Sequence, residues 1–223
     1  MTWKETFTSS IGKKLVMGFT GIFLVLFLIV HVGLNACIWA NDGGEMFNKG
    51  AHFMGSNIIP RILEVGLFAG FFLHIIQGYM LTAKNNKARG TKYLVDYGNQ
   101  GSKWYSRSMG LLGTLILLFL VVHLAHFWAP NRFNKGIILG DGIELYDTMK
   151  EVFSNLIVVI IYVAGCISLG YHLAHGFQSA FRTIGVTNNR YMSMIGSIGI
   201  AFSVIVSLAF AMMPISFYLG WVK

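Results

Sequence analysis

Five long apolar stretches decide what this chain can fold into. They cover residues of about 15–40, 58–83, 109–129, 152–181 and 194–222. Each is long enough to cross a bilayer, which takes roughly 20 residues, and a chain surrounded by lipid satisfies its backbone hydrogen bonds by forming helices. Only 12% of the residues are charged, about half the share of an average soluble domain. The sequence therefore predicts an all-α integral membrane bundle of five transmembrane helices, formed by residues 1–223 as a single domain.

The distribution of lysine and arginine predicts the orientation of the bundle. If the N-terminus lies inside, the inner segments hold eleven of the seventeen basic residues: Lys4, Lys13, Lys14, Lys84, Lys87, Arg89, Lys92, Lys103, Arg107, Arg182 and Arg190. Cytoplasmic loops are enriched in these residues, so the N-terminus is predicted to be cytoplasmic. Lysines and arginines that orient the helices in the membrane thus account for the net charge of +8. No nucleic-acid partner is expected. The basic loop 84–107 is equally compatible with docking of a partner.

Four histidines lie well inside the apolar stretches, one in each of the first four. Ionisable side chains are costly inside a membrane and usually functional. His31 lies seventeen residues from Lys14 and His123 sixteen from Arg107, which is about 25 Å for both at the rise of an α-helix. The other two, His74 and His172, each lie ten residues from a basic residue of their own stretch, or about 15 Å. The spacing predicts an outer pair from the first and third helices and an inner pair from the second and fourth. Two facing neutral imidazoles can bind a haem iron.

The two inner histidines share a sequence pattern that supports this interpretation. In both stretches a glycine follows the histidine by four residues and a basic residue follows it by ten, as His74, Gly78 and Lys84 and as His172, Gly176 and Arg182. A glycine at that spacing lies on the histidine's face of the helix and clears room for a flat ring. The basic residues are placed where haem propionates would need a cation.

The remaining histidines are less clearly placed. His126 and His175 each follow a predicted ligand by three residues and could compete with it. We interpret both as contacts to a propionate, water or quinone. His52 is expected to lie at the surface of an outer loop.

Several short motifs resemble a known family. They are Leu28-Ile-Val-His31 with Asn35, Phe47-Asn48, Ala51-His52-Phe53-Met54, Leu63-Glu64, Gly78-Tyr79, Thr82-Ala83-Lys84-Asn85-Asn86, Val122-His123, Gly176-Phe177, Ser179-Ala180-Phe181 and Gly185-Val186-Thr187. In this order and spacing, over nearly the whole chain, they resemble the dihaem cytochrome b membrane anchors of succinate dehydrogenases and fumarate reductases.

The resemblance implies a cofactor set, a ligand set and partners. The family's axial ligands match His31, His74, His123 and His172, with two haems b per chain. The implied partners are an iron–sulfur subunit and an FAD-containing flavoprotein subunit on the cytoplasmic face. The implied electron carrier is menaquinone, near the outer haem, and the implied location is the inner (cytoplasmic) membrane. The chain carries no flavin or nucleotide fingerprint of its own, so the dicarboxylate chemistry would belong to the partners.

Outer acids such as Glu45 and Glu64 could handle quinone protons close to the outer water. Glu64 is the more interesting of the two, since it lies in the first turns of the second helix, close to Arg61. An ion pair with Arg61 or a preference for the helix N-terminus explains it equally well. Three other functions stay open at this stage. They are a haem b anchor of a hydrogenase or formate dehydrogenase, a diiron membrane hydroxylase suggested by His123 with His126 and His172 with His175, and a transporter.

Overall fold

The structure is a computed structural model that describes residues 9–89, 103–133 and 144–222. Its helices are α1 (Ser10–Ala36), α2 (Glu45–Ser56), α3 (Ile58–Arg89), α4 (Trp104–Arg107), α5 (Met109–His123), α6 (Ala129–Phe133), α7 (Leu145–Phe153), α8 (Leu156–Thr183) and α9 (Asn189–Tyr218). Within these ranges, five helical runs are long and apolar enough to cross a membrane: Ile11–Ala40, Ile58–Lys87, Met109–Phe133, Leu156–Thr183 and Asn189–Tyr218. The predicted all-α fold with five membrane spans is confirmed, whereas the cytoplasmic N-terminus stays a prediction.

Polar side chains set where the membrane helices begin. The hydroxyl of Ser9 accepts a hydrogen bond from the Gly12 amide at 3.0 Å, which starts α1 five residues before the apolar stretch. The Asn155 side chain accepts from the Ile157 amide at 2.9 Å. This cap starts α8 at Leu156, so the predicted start near residue 152 was four residues too early. Each cap satisfies a backbone amide that has no partner inside the helix.

Two shorter helices, α2 and α7, lie where the sequence analysis expected outer loops. Both carboxylate oxygens of Asp42 accept hydrogen bonds at the start of α2, from the Gly44 amide at 3.0 Å and the Met46 amide at 2.9 Å. The α7 residue Tyr146 is 1% exposed, and its backbone amide donates to the Asn48 side chain at 3.1 Å. These contacts join α2 to α7 and form an apolar core whose buried members are Ile38, Phe47, Tyr146, Met149, Phe153, Val159, Tyr162, Met213 and Val222.

A π-helical turn, Leu124–Trp128, interrupts the third membrane span directly after His123. The Ala129 amide donates to the Leu124 carbonyl, five residues back. Pro130 follows, and a proline ring clashes with the carbonyl four residues before it in a regular α-helix. Widening the helix to the i→i+5 pattern relieves this clash. Such turns are frequent at functional sites.

Contacts divide the chain into two units. Unit one comprises Met1–Phe27, Val65–Thr114 and Gly170–Val204, and unit two comprises Leu28–Glu64, Leu115–Leu169 and Ile205–Lys223. His74 and His172 belong to unit one, and His31 and His123 belong to unit two. The expectation of a single domain stays a prediction. The middle of the predicted basic loop, residues 90–102, lies outside the described residues.

Candidate functional site

The outer histidine pair lies in unit two. The ring centres of His31, from α1, and His123, from α5, are 5.9 Å apart, and the rings are inclined by 88°. Aromatic rings enclose the pair: Phe119 stacks on His123 at 5.7 Å, and Phe210 of α9 lies 5.6 Å from His31. The two imidazoles therefore lie next to each other with nearly perpendicular ring planes, in an apolar, aromatic environment.

The inner pair lies in unit one. His74 of α3 and His172 of α8 have ring centres 6.1 Å apart, inclined by 65°. Two glycines of neighbouring helices come close to these imidazoles. A Cβ at Gly21 would lie 3.7 Å from Cε1 of His74, and a Cβ at Gly113 would lie 3.8 Å from Cε1 of His172. The structure thus brings together the two histidines of each predicted pair.

The spacing within each pair matches two imidazoles that share one metal ion. An imidazole nitrogen lies about 2 Å from a bound metal, and each ring centre lies about 1 Å beyond its nitrogen, so two rings across one metal have centres about 6 Å apart. The observed separations are 5.9 and 6.1 Å. Among the described residues, no group of three or more histidine, cysteine or acidic side chains converges on one point. The spacing of each pair thus suits one metal ion held by two histidines.

Thr20 sets the tautomer of His74. The Thr20 hydroxyl donates to the Val16 carbonyl at 2.7 Å and lies 3.2 Å from Nδ1 of His74. Because its proton is already donated, the threonine oxygen accepts a hydrogen bond from Nδ1–H. The opposite nitrogen, Nε2, then carries the lone pair that a metal needs. The sequence analysis missed Thr20, because nothing marks a hydroxyl in α1 as a neighbour of a histidine 54 positions later.

The other three imidazoles have different surroundings. The Asn35 side chain lies 3.4 Å from Nδ1 of His31 and donates to the His31 carbonyl at 2.8 Å. In the described part of the chain, Nδ1 of His123 and Nδ1 of His172 are buried without a hydrogen-bond partner. A buried polar atom left without a partner costs about 1–3 kcal/mol.

The two glycines of the shared pattern have different neighbours. A Cβ at Gly176 would meet no atom within 4 Å, so there is room beside this glycine on the face of His172. At Gly78 a Cβ would lie 3.2 Å from the terminal methyl of Met17. The basic residues of the pattern, Lys84 and Arg182, are exposed near the ends of their helices. Their proposed pairing with propionates stays a prediction.

The additional histidines fall into three environments. His126, in the π-turn, stacks on Tyr162 and shares a hydrogen bond of 3.0 Å between Nδ1 and the tyrosine hydroxyl. Its ring is therefore engaged by Tyr162, while His123 faces His31. His175 is half-buried, one turn beyond His172. His52 is exposed as expected, but it lies in helix α2 instead of a loop.

Glu64 joins two membrane helices in unit two. One carboxylate oxygen accepts from the Arg61 guanidinium at 3.0 Å, and the other accepts from the Trp128 indole N–H at 2.7 Å. The Glu64 side chain is 24% exposed. The ion pair with Arg61 is the alternative that the sequence analysis left open. The contact with Trp128 was not predicted, because it depends on the π-turn. Pro130 is the residue in the sequence that could have indicated this turn.

Comparison with known proteins identifies one informative relative. The chain is 28% identical over 166 residues to the succinate dehydrogenase cytochrome b558 subunit of Bacillus subtilis (strain 168), and the match covers 73% of each chain. No family model matches the chain. No solved structure matches it either. The similarity confirms the resemblance drawn from the sequence motifs, and together with the five apolar helices it establishes a multi-pass protein of the inner (cytoplasmic) membrane.

Proposed function

Because this chain is a relative of the succinate dehydrogenase cytochrome b anchors, we propose that it holds two haems b and carries electrons between a succinate-oxidising or fumarate-reducing partner and menaquinone. The observation that carries the proposal is the spacing of the two histidine pairs, 5.9 Å for His31 with His123 and 6.1 Å for His74 with His172. A single chance pair of buried histidines would be unremarkable. Two pairs on different helices, both at the separation of axial ligands, call for a shared cause.

The residues would hold and tune the cofactor. Haem b, when bound, would supply a one-electron redox couple in an apolar site. The four histidines would provide the axial nitrogens, and Thr20 would keep the His74 ring in the ligating tautomer. Phe119 and Phe210 would exclude water from the outer pair, which lowers the local dielectric and shifts the redox potential. Gly176 would leave room for a ring, and Lys84 and Arg182 would receive propionates.

Glu64 would serve the quinone. Reduction of a quinone to a quinol takes up two electrons and two protons, so its site needs a group that takes up protons from nearby water and passes them on. Glu64 is partly exposed and belongs to unit two with the outer histidine pair. Arg61 and Trp128 hold both carboxylate oxygens in place, which would orient the group toward a bound quinone ring.

The partners follow from the same proposal. Succinate and fumarate are interconverted by a flavoprotein, and electrons reach a membrane anchor through an iron–sulfur subunit that docks on its cytoplasmic face. We assign both partners to this chain. Purification of the intact complex from membranes, followed by an assay of succinate oxidation, separates this function from that of a hydrogenase or formate dehydrogenase anchor.

A pyridine haemochrome assay on the purified chain tests the cofactor directly. We expect two haems b per chain and a low-spin spectrum typical of two imidazole ligands. A colourless protein after expression with ample haem would overturn the proposal. A stoichiometry of one haem would overturn the two-level arrangement.

A further inference from the structure

A polar cavity lies where the C-terminal part of α3 meets the start of α5, and none of its described lining residues is a histidine. Its volume is about 380 Å³. The polar side chains of its lining are Tyr79, Thr82, Asn86, Arg107, Ser108 and Thr114. These comprise one guanidinium, one amide and four hydroxyls, and there is no carboxylate among the described residues of the lining. Such a set of groups suits an anion with several oxygen acceptors.

The walls of the cavity are held by close contacts between the two helices. The Thr114 hydroxyl donates to the Gly110 carbonyl at 2.8 Å, so the Tyr79 hydroxyl donates to Thr114, 2.9 Å away. A Cβ at Gly110 would lie 2.7 Å from the methyl of Thr82. Only glycine therefore permits this approach of α3 and α5, and the polar groups are organised before any ligand arrives.

The cavity lies at the edge of the membrane. The second span ends at Lys87 and the third begins at Met109, so the cavity residues lie in the last turns of one span and in, or just before, the first turns of the next. Large apolar side chains on the same helices are exposed, including Leu111 at 61%, Ile76 at 53% and Met80 at 42%. In a membrane protein these surfaces face lipid chains. A polar, cationic cavity next to a lipid-facing apolar surface has the two parts that a phospholipid needs.

We propose that this cavity binds the phosphate headgroup of an anionic phospholipid. Arg107 would make the charge-assisted contact to the phosphodiester, and Asn86, Ser108 and Thr82 would donate to its remaining oxygens. The acyl chains would lie over Leu111 and Met80. The N-terminus of α5, at the cavity, adds a favourable partial positive charge. Basic sites between membrane helices are suited to anionic headgroups.

Native mass spectrometry of the full chain in detergent tests the proposal. Delipidated protein is titrated with short-chain phosphatidylglycerol and, in parallel, with phosphatidylcholine of the same chain length. We expect one phosphatidylglycerol to bind preferentially, and Arg107→Gln to weaken that binding about tenfold. The matched control is Arg190→Gln, which removes an exposed arginine of unit one that does not line the cavity. It should leave the binding unchanged.

Asn86→Leu provides a second variant, because Asn86 is exposed and its replacement should not affect folding. It should weaken phosphatidylglycerol binding about threefold at unchanged thermal stability. Equal retention of phosphatidylglycerol by wild type and both cavity variants would overturn the proposal, as would equal binding of phosphatidylcholine. Two further arms distinguish other ligands. Full displacement of phosphatidylglycerol by inorganic phosphate at equal concentration would overturn the proposal. It would also be overturned if the cavity variants weakened binding of a soluble naphthoquinone and left lipid binding unchanged.

Discussion

The Thr20 hydroxyl lies 3.2 Å from Nδ1 of His74 and connects α1 to the inner histidine pair. Because this hydroxyl already donates to the Val16 carbonyl, it can only accept from the ring. The contact therefore selects the His74 tautomer whose Nε2 is ready for a metal. Partners of this kind orient metal-binding histidines and raise their basicity.

Thr20→Val should weaken haem binding at the inner site and leave the fold intact, because valine keeps the shape and removes only the hydroxyl, which accepts from His74 and donates to the Val16 carbonyl. We expect the inner haem to be lost about tenfold more readily during detergent washing, since loss of such partners typically costs 10–100-fold in metal affinity. Haem content per chain is the measurement. Thr183→Val is the matched control, because Thr183 likewise donates to the carbonyl four residues back, that of Ser179. Equal haem retention by the two variants would contradict a positioning role for Thr20.

Single histidine variants should separate the two haems by pair. His74→Ala and His172→Ala should each remove one and the same spectral species, because their rings face each other at 6.1 Å. His31→Ala and His123→Ala should remove the other species. Low-temperature absorption spectra together with haem quantitation give the assignment. If His31→Ala and His74→Ala abolished the same species, the proposed pairing would be wrong.

The pairing could be predicted from the sequence because helix geometry converts residue counts into depth. Counting from the nearest basic residue placed His31 level with His123, and a rise of 1.5 Å per residue needs no tertiary information. The five spans were predictable for a similar reason, since their length and apolar composition are local properties.

Contacts between distant residues were not predictable in this way. The roles of Thr20 and of Trp128 depend on which helices are neighbours and on the π-turn, and no local pattern reveals them. The sequence predicts loops for the segments that form α2 and α7, because neither is an apolar stretch long enough to cross a bilayer. Their stability comes from tertiary contacts such as that of Tyr146 with Asn48, and short helices owe most of their stability to such packing.

Glu64→Gln should slow quinone reduction and spare the haems. Glutamine keeps an acceptor for the Trp128 indole but cannot exchange protons and loses the ion pair with Arg61. We expect quinone-dependent turnover of the complex to fall about tenfold or more, with haem content and reduction of an artificial acceptor by succinate unchanged. Glu45→Gln is the control, since Glu45 forms an exposed pair with Lys49 and should change turnover less than about twofold. If Glu64→Gln reduced quinone at the normal rate, Glu64 would have no role in proton transfer and would only connect two helices through Trp128.

Gly44→Ala should destabilise the apolar core that α2 and α7 form in unit two. Gly44 has φ +87°, and a Cβ there would lie closer to the Tyr146 ring than van der Waals contact allows. Gly43 also has a positive φ, +71°, but a Cβ there would meet nothing within 4 Å. Gly43→Ala should therefore cost only the backbone strain, about 1 kcal/mol, whereas Gly44→Ala should add about 1–3 kcal/mol of overpacking. Thermal unfolding in detergent measures both, and equal losses would contradict the clash with Tyr146.

Gly176→Val distinguishes a haem slot from an ordinary helix surface. Apart from the adjoining residues and backbone of its own helix, no atom of the described residues lies within 4 Å of a Cβ position at Gly176, so packing within this part of the protein would tolerate a valine. If the plane of the inner haem lies there, the valine methyl groups occupy its place, and the variant should fold yet bind one haem instead of two. Gly66→Val on α3 is the control, because a Cβ at Gly66 also meets nothing within 4 Å and both variants place a β-branched residue in a helix. Retention of two haems by Gly176→Val would show that the ring plane lies elsewhere, whereas loss of one haem in both variants would point to a general effect of valine on these helices.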